Sequence, residues 1–181
     1  IGSHELATMT QSLFHRGPDD GGCMLLERPG KKALAFSPEN IPKGRRGLVG
    51  LGHRRLSIID LSKNGAQPMV DPEHRIWMVY NGEVYNFKEL RARLESLGHV
   101  FKSRTDSEVV LKSFCQWGCD CFKEFNGMWA IAFFDEKSGR LTLARDRFGI
   151  KPLFFFKDHG RFLFGSEIKS LLAHPLCPKD P

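Results

Sequence analysis

Five short polar segments carry residue types that could bind or react with a small polar molecule. In chain order they are His15 to Asp19, Arg55 to Asp60, Asn81 to Asn86, Thr105 to Glu108 and Arg145 to Leu153. Arg55 offers a planar two-pronged donor, and Asp106 offers the opposite charge, so together they supply what an amino-acid zwitterion requires. Asn81 is a neutral donor, and Gly82 leaves its backbone N–H open to close approach.

Each of these residues also has an ordinary structural interpretation. Asn81-Gly82 could be a turn after a strand, and Arg55 could be a surface arginine. Asp106 sits where a helix should begin, so it could be the N-cap. Arg54 is expected to be a surface arginine pointing away from Arg55, because neighbouring strand residues face opposite sides.

Length and composition are those of a globular protein. The 181 residues, 41% hydrophobic and 27% charged, fit one domain with a full core. No apolar run approaches the roughly 20 residues that span a bilayer, and the start has no signal pattern, so we expect the cytoplasm and no membrane. The net charge of +6 is densest at Lys31-Lys32 and Lys43 to Arg46, in a Gly/Pro-punctuated stretch that we interpret as a solvated loop.

The cysteines predict neither disulfides nor a metal site. Their number is odd, and their spacing forms no framework, which favours reduced thiols: Cys23, Cys115, Cys119, Cys121 and Cys177. Cys119-x-Cys121 is too tight for a zinc knuckle and has no histidine nearby. We expect no metal.

Helices are predicted near the start, in the middle and at the end of the chain. The first follows Ser3 as N-cap, and the last runs from about Ile168 to Ala173. The clearest has Asn86 as N-cap, Glu89 as capping-box partner and Gly98 as stop. Another should run from about Ser107 to Trp117.

Strands are predicted between and after these helices. Pro18 to Gly22 should form a turn, whereas Leu48 to Ile59 and Ile76 to Tyr80 should be extended. Two hairpins should follow, with strands at 128–135 and 140–144, then at 153–156 and 162–164. The strand at 153–156 is apolar on both faces, which suits a sheet covered on both sides. Hairpins give antiparallel sheets, so the sequence predicts an α+β layered domain.

In order and spacing, the five polar segments resemble the class II glutamine amidotransferase domain of glutamine-hydrolysing asparagine synthetases, which are N-terminal-nucleophile hydrolases. The resemblance covers nearly the whole chain, from Leu6 to Ala173. It implies a four-layer αββα sandwich of two antiparallel sheets flanked by helices. It places the amidotransferase domain at residues 1–175 and a tail or linker at 176–181.

The resemblance also implies roles for individual residues. Asn81 and Gly82 would form the oxyanion hole, through the Asn side-chain amide and the Gly N–H. Arg55 would hold the α-carboxylate of glutamine, and Asp106 its α-ammonium. Positions whose backbone lines the glutamine pocket match Glu83, Ile58 and Ile59. The segments His15 to Asp19 and Arg145-Asp146, family hallmarks, we interpret as scaffold held by turns and ion pairs.

The family's nucleophile is an N-terminal cysteine whose own α-amine, with a reference pKa of about 7.7–8.0, acts as the base. This sequence has Ile1 at its first position, and residues 1–14 match only the helix after the family's first strand. We therefore expect a first strand and its cysteine to be missing because they are disordered, removed or absent from the gene product. Cys115, Cys119 and Cys121 carry no α-amine and are expected to be buried or inert.

The expected activity is hydrolysis of glutamine to glutamate and ammonia for an asparagine-synthetase-type amidation. The implied partner is a synthetase domain, in the same chain or in another. No cofactor is expected in this domain, because ATP and Mg²⁺ would belong to that synthetase domain. Self-association is left open, as is the acceptor of the ammonia.

Two other functions stay open at this point. The first is a truncated or degenerate module that binds glutamine for regulation without catalysis. The second, argued from the charge alone, is a nucleic-acid-binding module, although we expect no nucleic acid as partner.

Overall fold

The computed structural model describes residues 1–28, 30–56 and 65–179. The chain divides into two compact units. Unit 1 takes the described residues within 1–57 and 152–181, and unit 2 takes those within 58–151. Among the described residues, no helix combines the length and apolar character that crossing a membrane requires.

Unit 1 combines two α-helices and a 3-10 helix with two antiparallel sheets. Its elements are α1 (Ser3–Gln11), a 3-10 helix (Phe14–Arg16), β1 (Asp20–Leu26), β2 (Leu34–Phe36), β3 (Val49–Arg55), β8 (Phe154–Asp158), β9 (Arg161–Gly165) and α5 (Ile168–Leu172). One sheet has the order β2-β1-β3, and the hairpin β8-β9 forms the other. Leu6 of α1 packs against Cys23 and Leu25 of β1, whereas Met9 packs against Leu163 and Leu171. Helix α1 therefore contributes to two buried clusters in the described part of this unit.

Unit 2 is a four-stranded antiparallel sheet with helices packed on it. Its elements are β4 (Met69–Asp71), β5 (Ile76–Val84), α2 (Phe87–Ser96), α3 (Asp106–Trp117), a 3-10 helix (Gly118–Asp120), α4 (Cys121–Glu124), β6 (Gly127–Asp135) and β7 (Arg140–Arg145). The strand order is β4-β5-β6-β7. Phe114 of α3 stacks on Phe133 of β6, with ring centroids 3.9 Å apart. Burial of this apolar face against α2 and α3 is the main source of stability for the unit.

The predicted helices are confirmed, but one predicted N-cap residue is wrong and another makes no capping bond. The N-cap of α1 is Gly2 instead of Ser3. Asn86 does occupy the N-cap position of α2, yet its side chain makes no capping bond. Its amide instead donates to the Glu124 carbonyl and accepts from the Asn126 N–H, at 2.9 and 3.0 Å. The Asn86 side chain therefore bonds to residues distant in sequence instead of to its own helix. The spacing of residues along the chain cannot predict this.

Both predicted hairpins are confirmed. Strands β6 and β7 pair from Asp135 opposite Arg140, and β8 and β9 pair from Asp158 opposite Arg161. The loop of the second hairpin is His159-Gly160, and both residues have positive φ, 35° and 81°. Two-residue hairpin loops favour this backbone because its twist matches that of the strands.

One turn prediction and one prediction about the coverage of a strand are wrong. The segment Pro18 to Gly22 is not all turn, because β1 already begins at Asp20 and pairs with β3. Strand β8 was expected to be covered on both faces, but Phe154 and Phe155 are 40% and 66% exposed. Among the described residues, β8 pairs with β9 alone. The α+β class with antiparallel sheets is confirmed, and the four-layer arrangement stays a prediction.

Candidate functional site

Strand β5 carries three of the predicted site residues. Asn81 lies opposite Ala130 of β6, Gly82 opposite Trp129, and Glu83 one step further along the same ladder. Asn81-Gly82 is therefore inside a regular strand, and its interpretation as a turn is wrong.

Packing against β6 requires glycine at position 82. A Cβ atom there would lie 2.3 Å from the Met128 carbonyl oxygen and 2.7 Å from the Trp129 Cα. Both atoms belong to the backbone of a buried strand, so neither can move aside cheaply. Gly82 brings the two strands into closer contact than any side chain would allow.

Asp106 is brought to the same place by helix α3. It is the first residue of the helix, whereas Thr105 is the N-cap and accepts a bond from the Glu108 N–H. The N-cap interpretation of Asp106 is therefore wrong. Its Oδ2 instead accepts from the Tyr80 hydroxyl at 2.8 Å and from the Val84 N–H at 3.1 Å. These two residues flank Asn81 to Glu83, so the carboxylate lies beside the segment that carries the candidate donors.

Tyr80 and Gln67 position this cluster, and neither residue was predicted from the sequence. The Gln67 side chain accepts from the Tyr80 N–H at 2.6 Å and donates to the Tyr80 carbonyl at 3.2 Å. Burial and the neighbouring Asp106 raise the pKa of Tyr80 above its ordinary value, so the phenol stays protonated and donates to the carboxylate. One signal was present in the sequence, because a tyrosine in a buried strand needs a partner for its hydroxyl.

Arg55 lies in unit 1, at the end of β3. Its backbone pairs with Asp20 of β1, and its carbonyl accepts from the Asp19 N–H at 3.2 Å. The other arginine, Arg54, is not a surface residue, since only 3% of its side chain is exposed. Its guanidinium donates to the carbonyls of Gly17 and Pro18, at 2.8 and 3.3 Å. Arg54 therefore fixes the segment next to the strand end that presents Arg55.

The two segments interpreted as scaffold make structural contacts. His15 and Arg16 both contact the Glu167 carboxylate at 3.0 Å. Arg145 donates to the carbonyls of Gly149 and Lys151, and the Asp146 carboxylate accepts only backbone N–H groups among the described residues. The first segment thus contains the expected ion pairs, whereas the second is held by bonds to the backbone.

The remaining site predictions have mixed outcomes. Ile58 and Ile59 lie outside the described residues. The five cysteines are unpaired. Burial raises the pKa of the Cys115 thiol to about 12, and it also raises that of Cys121, which makes both poor nucleophiles. Cys119 is exposed, so of the two alternatives, buried or inert, only inertness stays a prediction for this residue.

The described part of unit 2 has its possible metal ligands away from Asp106. Asp71, His74 and Cys115 lie close enough together to bind one ion. The cluster around Asp106 instead offers one buried carboxylate, which suits an ammonium group. The neutral donors nearby suit an uncharged polar group of the same ligand.

Comparison with solved structures identifies the fold. Glutamine phosphoribosylpyrophosphate amidotransferase from B. subtilis matches with a TM-score of 0.78, covering 95% of this chain and 41% of that chain at 19% sequence identity. The protein therefore shares its fold with the matched part of that amidotransferase.

Comparison of sequences gives the family: the chain belongs to the glutamine amidotransferase domains, whose family matches residues 43–181. Asparagine synthetase (glutamine-hydrolyzing) 3 from Bacillus subtilis is 40% identical over 92% of this chain and 24% of its own length. Amidase chry2 from Gibberella zeae is 36% identical over 97% of this chain and 23% of its own length. The chain spans a third or less of the length of curated relatives that it matches.

Proposed function

We propose that this chain is a glutaminase domain, which hydrolyses glutamine to glutamate and ammonia for an asparagine-synthetase-type amidation. The observation that carries the proposal is the position of the Asp106 carboxylate. It accepts from the Tyr80 hydroxyl and the Val84 N–H and so lies beside Asn81 and Gly82. Family membership supports the same activity.

The proposal assigns the ammonium of glutamine to Asp106. Both bonds from protein donors use Oδ2, so Oδ1 is the oxygen that would accept from the α-ammonium. The carboxylate also lies in the first turn of α3, where the helix dipole stabilises its charge. The anion is therefore in place before substrate arrives, and a pre-organised group costs little to use.

The oxyanion of the tetrahedral intermediate is assigned to the Asn81 amide and the Gly82 N–H. Donors fixed by a rigid strand stabilise such a charge without reorganising. Arg55 would bind the α-carboxylate through two parallel bonds, and the backbone at Glu83, Ile58 and Ile59 would line the pocket. The four-layer sandwich predicted for this family belongs to the same proposal.

The nucleophile and the partner follow from the family. An N-terminal cysteine would attack the amide, and its α-amine would take the proton. Ammonia would pass to a synthetase domain, which alone would bind ATP and Mg²⁺. Amidase chry2 is similar to this chain at a comparable identity but is not named as an asparagine synthetase. We therefore assign asparagine first as the product and keep other amides as alternatives. The cytoplasm stays the predicted compartment.

Glutamine binding tests the pocket without requiring the nucleophile. Asp106→Asn keeps one carbonyl oxygen for Tyr80 and Val84, and it places an NH₂ group where the ammonium would bind. Losing a charged hydrogen bond of about 1.5–3 kcal/mol predicts affinity about 10- to 100-fold weaker by calorimetry. Asp120→Asn, at an exposed aspartate, is the matched control. Unchanged affinity in Asp106→Asn would remove this assignment.

Arg55→Ala tests the other end of the substrate. It should weaken glutamine binding about as much, whereas Arg28→Ala, at an exposed arginine, should not. The loss should be smaller for a ligand without the α-carboxylate, because that ligand never uses the guanidinium. An equal loss for both ligands would indicate that Arg55 is structural.

Turnover separates the enzyme from the binding module. The chain should be preceded by a cysteine-led strand with a free N-terminus, and ammonia release from glutamine should be measured. We expect turnover, and Asn81→Ala should lower kcat by about 10²–10³, the usual cost of one oxyanion donor. Glutamine binding without turnover would instead support the regulatory module.

A further inference from the structure

Asp71, His74 and Cys115 form a cluster of three different metal-ligating side chains in unit 2, away from the site described above. Asp71 ends β4, His74 follows it in the turn before β5, and Cys115 lies near the end of α3. One carboxylate oxygen, one imidazole nitrogen and the thiol sulfur all lie within 4.8 Å of one another. Asp106 begins the same helix nine residues earlier, about 14 Å away at 1.5 Å per residue.

The cluster is partly pre-organised. Asp71 Oδ1 accepts from the His74 N–H at 2.8 Å and contacts the His74 Nδ1 at 2.9 Å. The Asp71 side chain is only 1% exposed, and its other oxygen accepts from the Lys112 ammonium at 2.7 Å. Metal-binding carboxylates commonly have a second hydrogen-bond partner of this kind, which fixes their orientation.

We propose that Asp71, His74 and Cys115 bind a Zn²⁺-class transition-metal ion, with a fourth position open to water. Thiolate, imidazole and carboxylate are the ligand types of zinc sites, whereas Mg²⁺ and Ca²⁺ select oxygen alone. Ligands of one tetrahedral Zn²⁺, at about 2.0–2.3 Å from the ion, lie roughly 3.3–3.8 Å apart. The Asp71 and His74 ligand atoms, 2.9 Å apart, must therefore separate slightly, whereas any separation as long as 4.8 Å must shorten by about 1 Å. His74, with 36% of its side chain exposed, has room to rotate.

Charge and access also bear on the site. The Cys115 thiol must release its proton to solvent as the metal–sulfur bond forms, and the resulting thiolate adds a second negative charge beside Asp71. The positive charge of Lys112 repels a bound cation, but Lys112 is already paired with Asp71 Oδ2. The other oxygen, Oδ1, faces His74. His74 and Cys115 are both partly exposed, so an ion can enter from solvent.

Cobalt(II) is the probe, because its spectrum reports sulfur ligation and coordination number. The chelator-treated chain should bind one equivalent of Co²⁺, with a sulfur-to-cobalt charge-transfer band in the near ultraviolet and strong four-coordinate bands in the visible range. Zn²⁺ should displace it. Failure to bind Co²⁺, or binding of Co²⁺ without the charge-transfer band, would overturn the proposal.

Variants assign the ligands. Cys115→Ser should abolish the charge-transfer band, and His74→Gln should weaken Co²⁺ binding at least 10-fold. Cys119→Ser removes an exposed cysteine four residues away and should leave the spectrum unchanged. His74 lies in a surface turn, so its variant keeps the test informative even if Cys115→Ser folds poorly. A band that survives Cys115→Ser and disappears in Cys119→Ser would refute the assignment.

The metal site and the glutaminase proposal can fail separately. The Co²⁺ spectrum does not depend on glutamine, and the Asp106 variant should retain it.

Discussion

The Asp146 carboxylate holds the loop between β7 and β8, and within the described residues all of its partners are backbone N–H groups. Oδ1 accepts from the N–H groups of Phe148 and Ile150, at 3.1 and 2.9 Å, and Oδ2 from those of Trp129 and Lys151, at 3.2 and 3.0 Å. The residue is only 6% exposed. Each carboxylate oxygen accepts from two N–H groups. The site therefore needs an acceptor at both oxygen positions, and a donor at either position would be unfavourable.

Asp146→Asn changes the group without changing its shape. In either orientation of the amide, its NH₂ group faces two N–H donors, so two bonds to a charged acceptor are lost. At about 1.5–3 kcal/mol each, this predicts destabilisation by about 3–6 kcal/mol. That is a large part of the 5–15 kcal/mol that typically stabilises a domain.

Urea unfolding at pH 7, followed by tryptophan fluorescence and circular dichroism together, measures this loss and checks whether one transition suffices. Asp120→Asn, at an exposed residue, should leave the midpoint unchanged. A loss below about 1 kcal/mol in Asp146→Asn would refute the reasoning, because two of the four bonds would then contribute almost nothing.

The pH dependence gives an independent check on Asp146. Burial opposes its ionisation, but the four backbone donors outweigh it, and its pKa lies below the ordinary value. A lowered pKa means that the stabilisation is complete above about pH 4 and is lost as the pH falls towards the folded-state pKa. The stability difference between wild type and Asp146→Asn should therefore narrow below about pH 4, and a constant difference would contradict this account.

Two further predictions concern unit 2. Burial opposes ionisation of Asp71, but the bonds from Lys112 and His74 together outweigh burial and lower its pKa to about 2. Lys112→Met removes the strongest of these bonds and should cost about 3 kcal/mol in urea unfolding of chelator-treated protein. Lys123→Met, at an exposed lysine, is its control, and an equal effect of both would refute the account. Gly82→Ala should destabilise by about 1–3 kcal/mol, since the new Cβ would meet the Met128 carbonyl, and a midpoint equal to wild type would contradict the close approach.

The sequence by itself determined the local elements and the family. Helix α2 and the hairpin β6-β7 were predictable because their signals, apolar spacing and turn residues, lie within a few residues of one another. The family was recognisable for a related reason. The order and spacing of segments such as Asn81 to Asn86 can be read from the sequence without knowing where their side chains lie.

Only the tertiary structure decided what these residues contact. Asn81-Gly82 resembles a turn in sequence, but pairing with β6 keeps it extended. Asp106 resembles an N-cap in sequence, but Thr105 holds that position, and Asp106 accepts from Tyr80 and Val84 of a neighbouring strand. Arg54 was assigned to the surface by alternation, yet it is buried against Gly17.

The physical reason is the same in each case. The local preference of a residue for a cap or a turn contributes about 1 kcal/mol to the free energy of unfolding. An unpaired buried polar group costs about 1–3 kcal/mol. Partners distant in sequence therefore override the local choice. The cluster of Asp71, His74 and Cys115 follows the same logic, since its members lie up to 44 residues apart and only the packing of α3 on β4 brings them together.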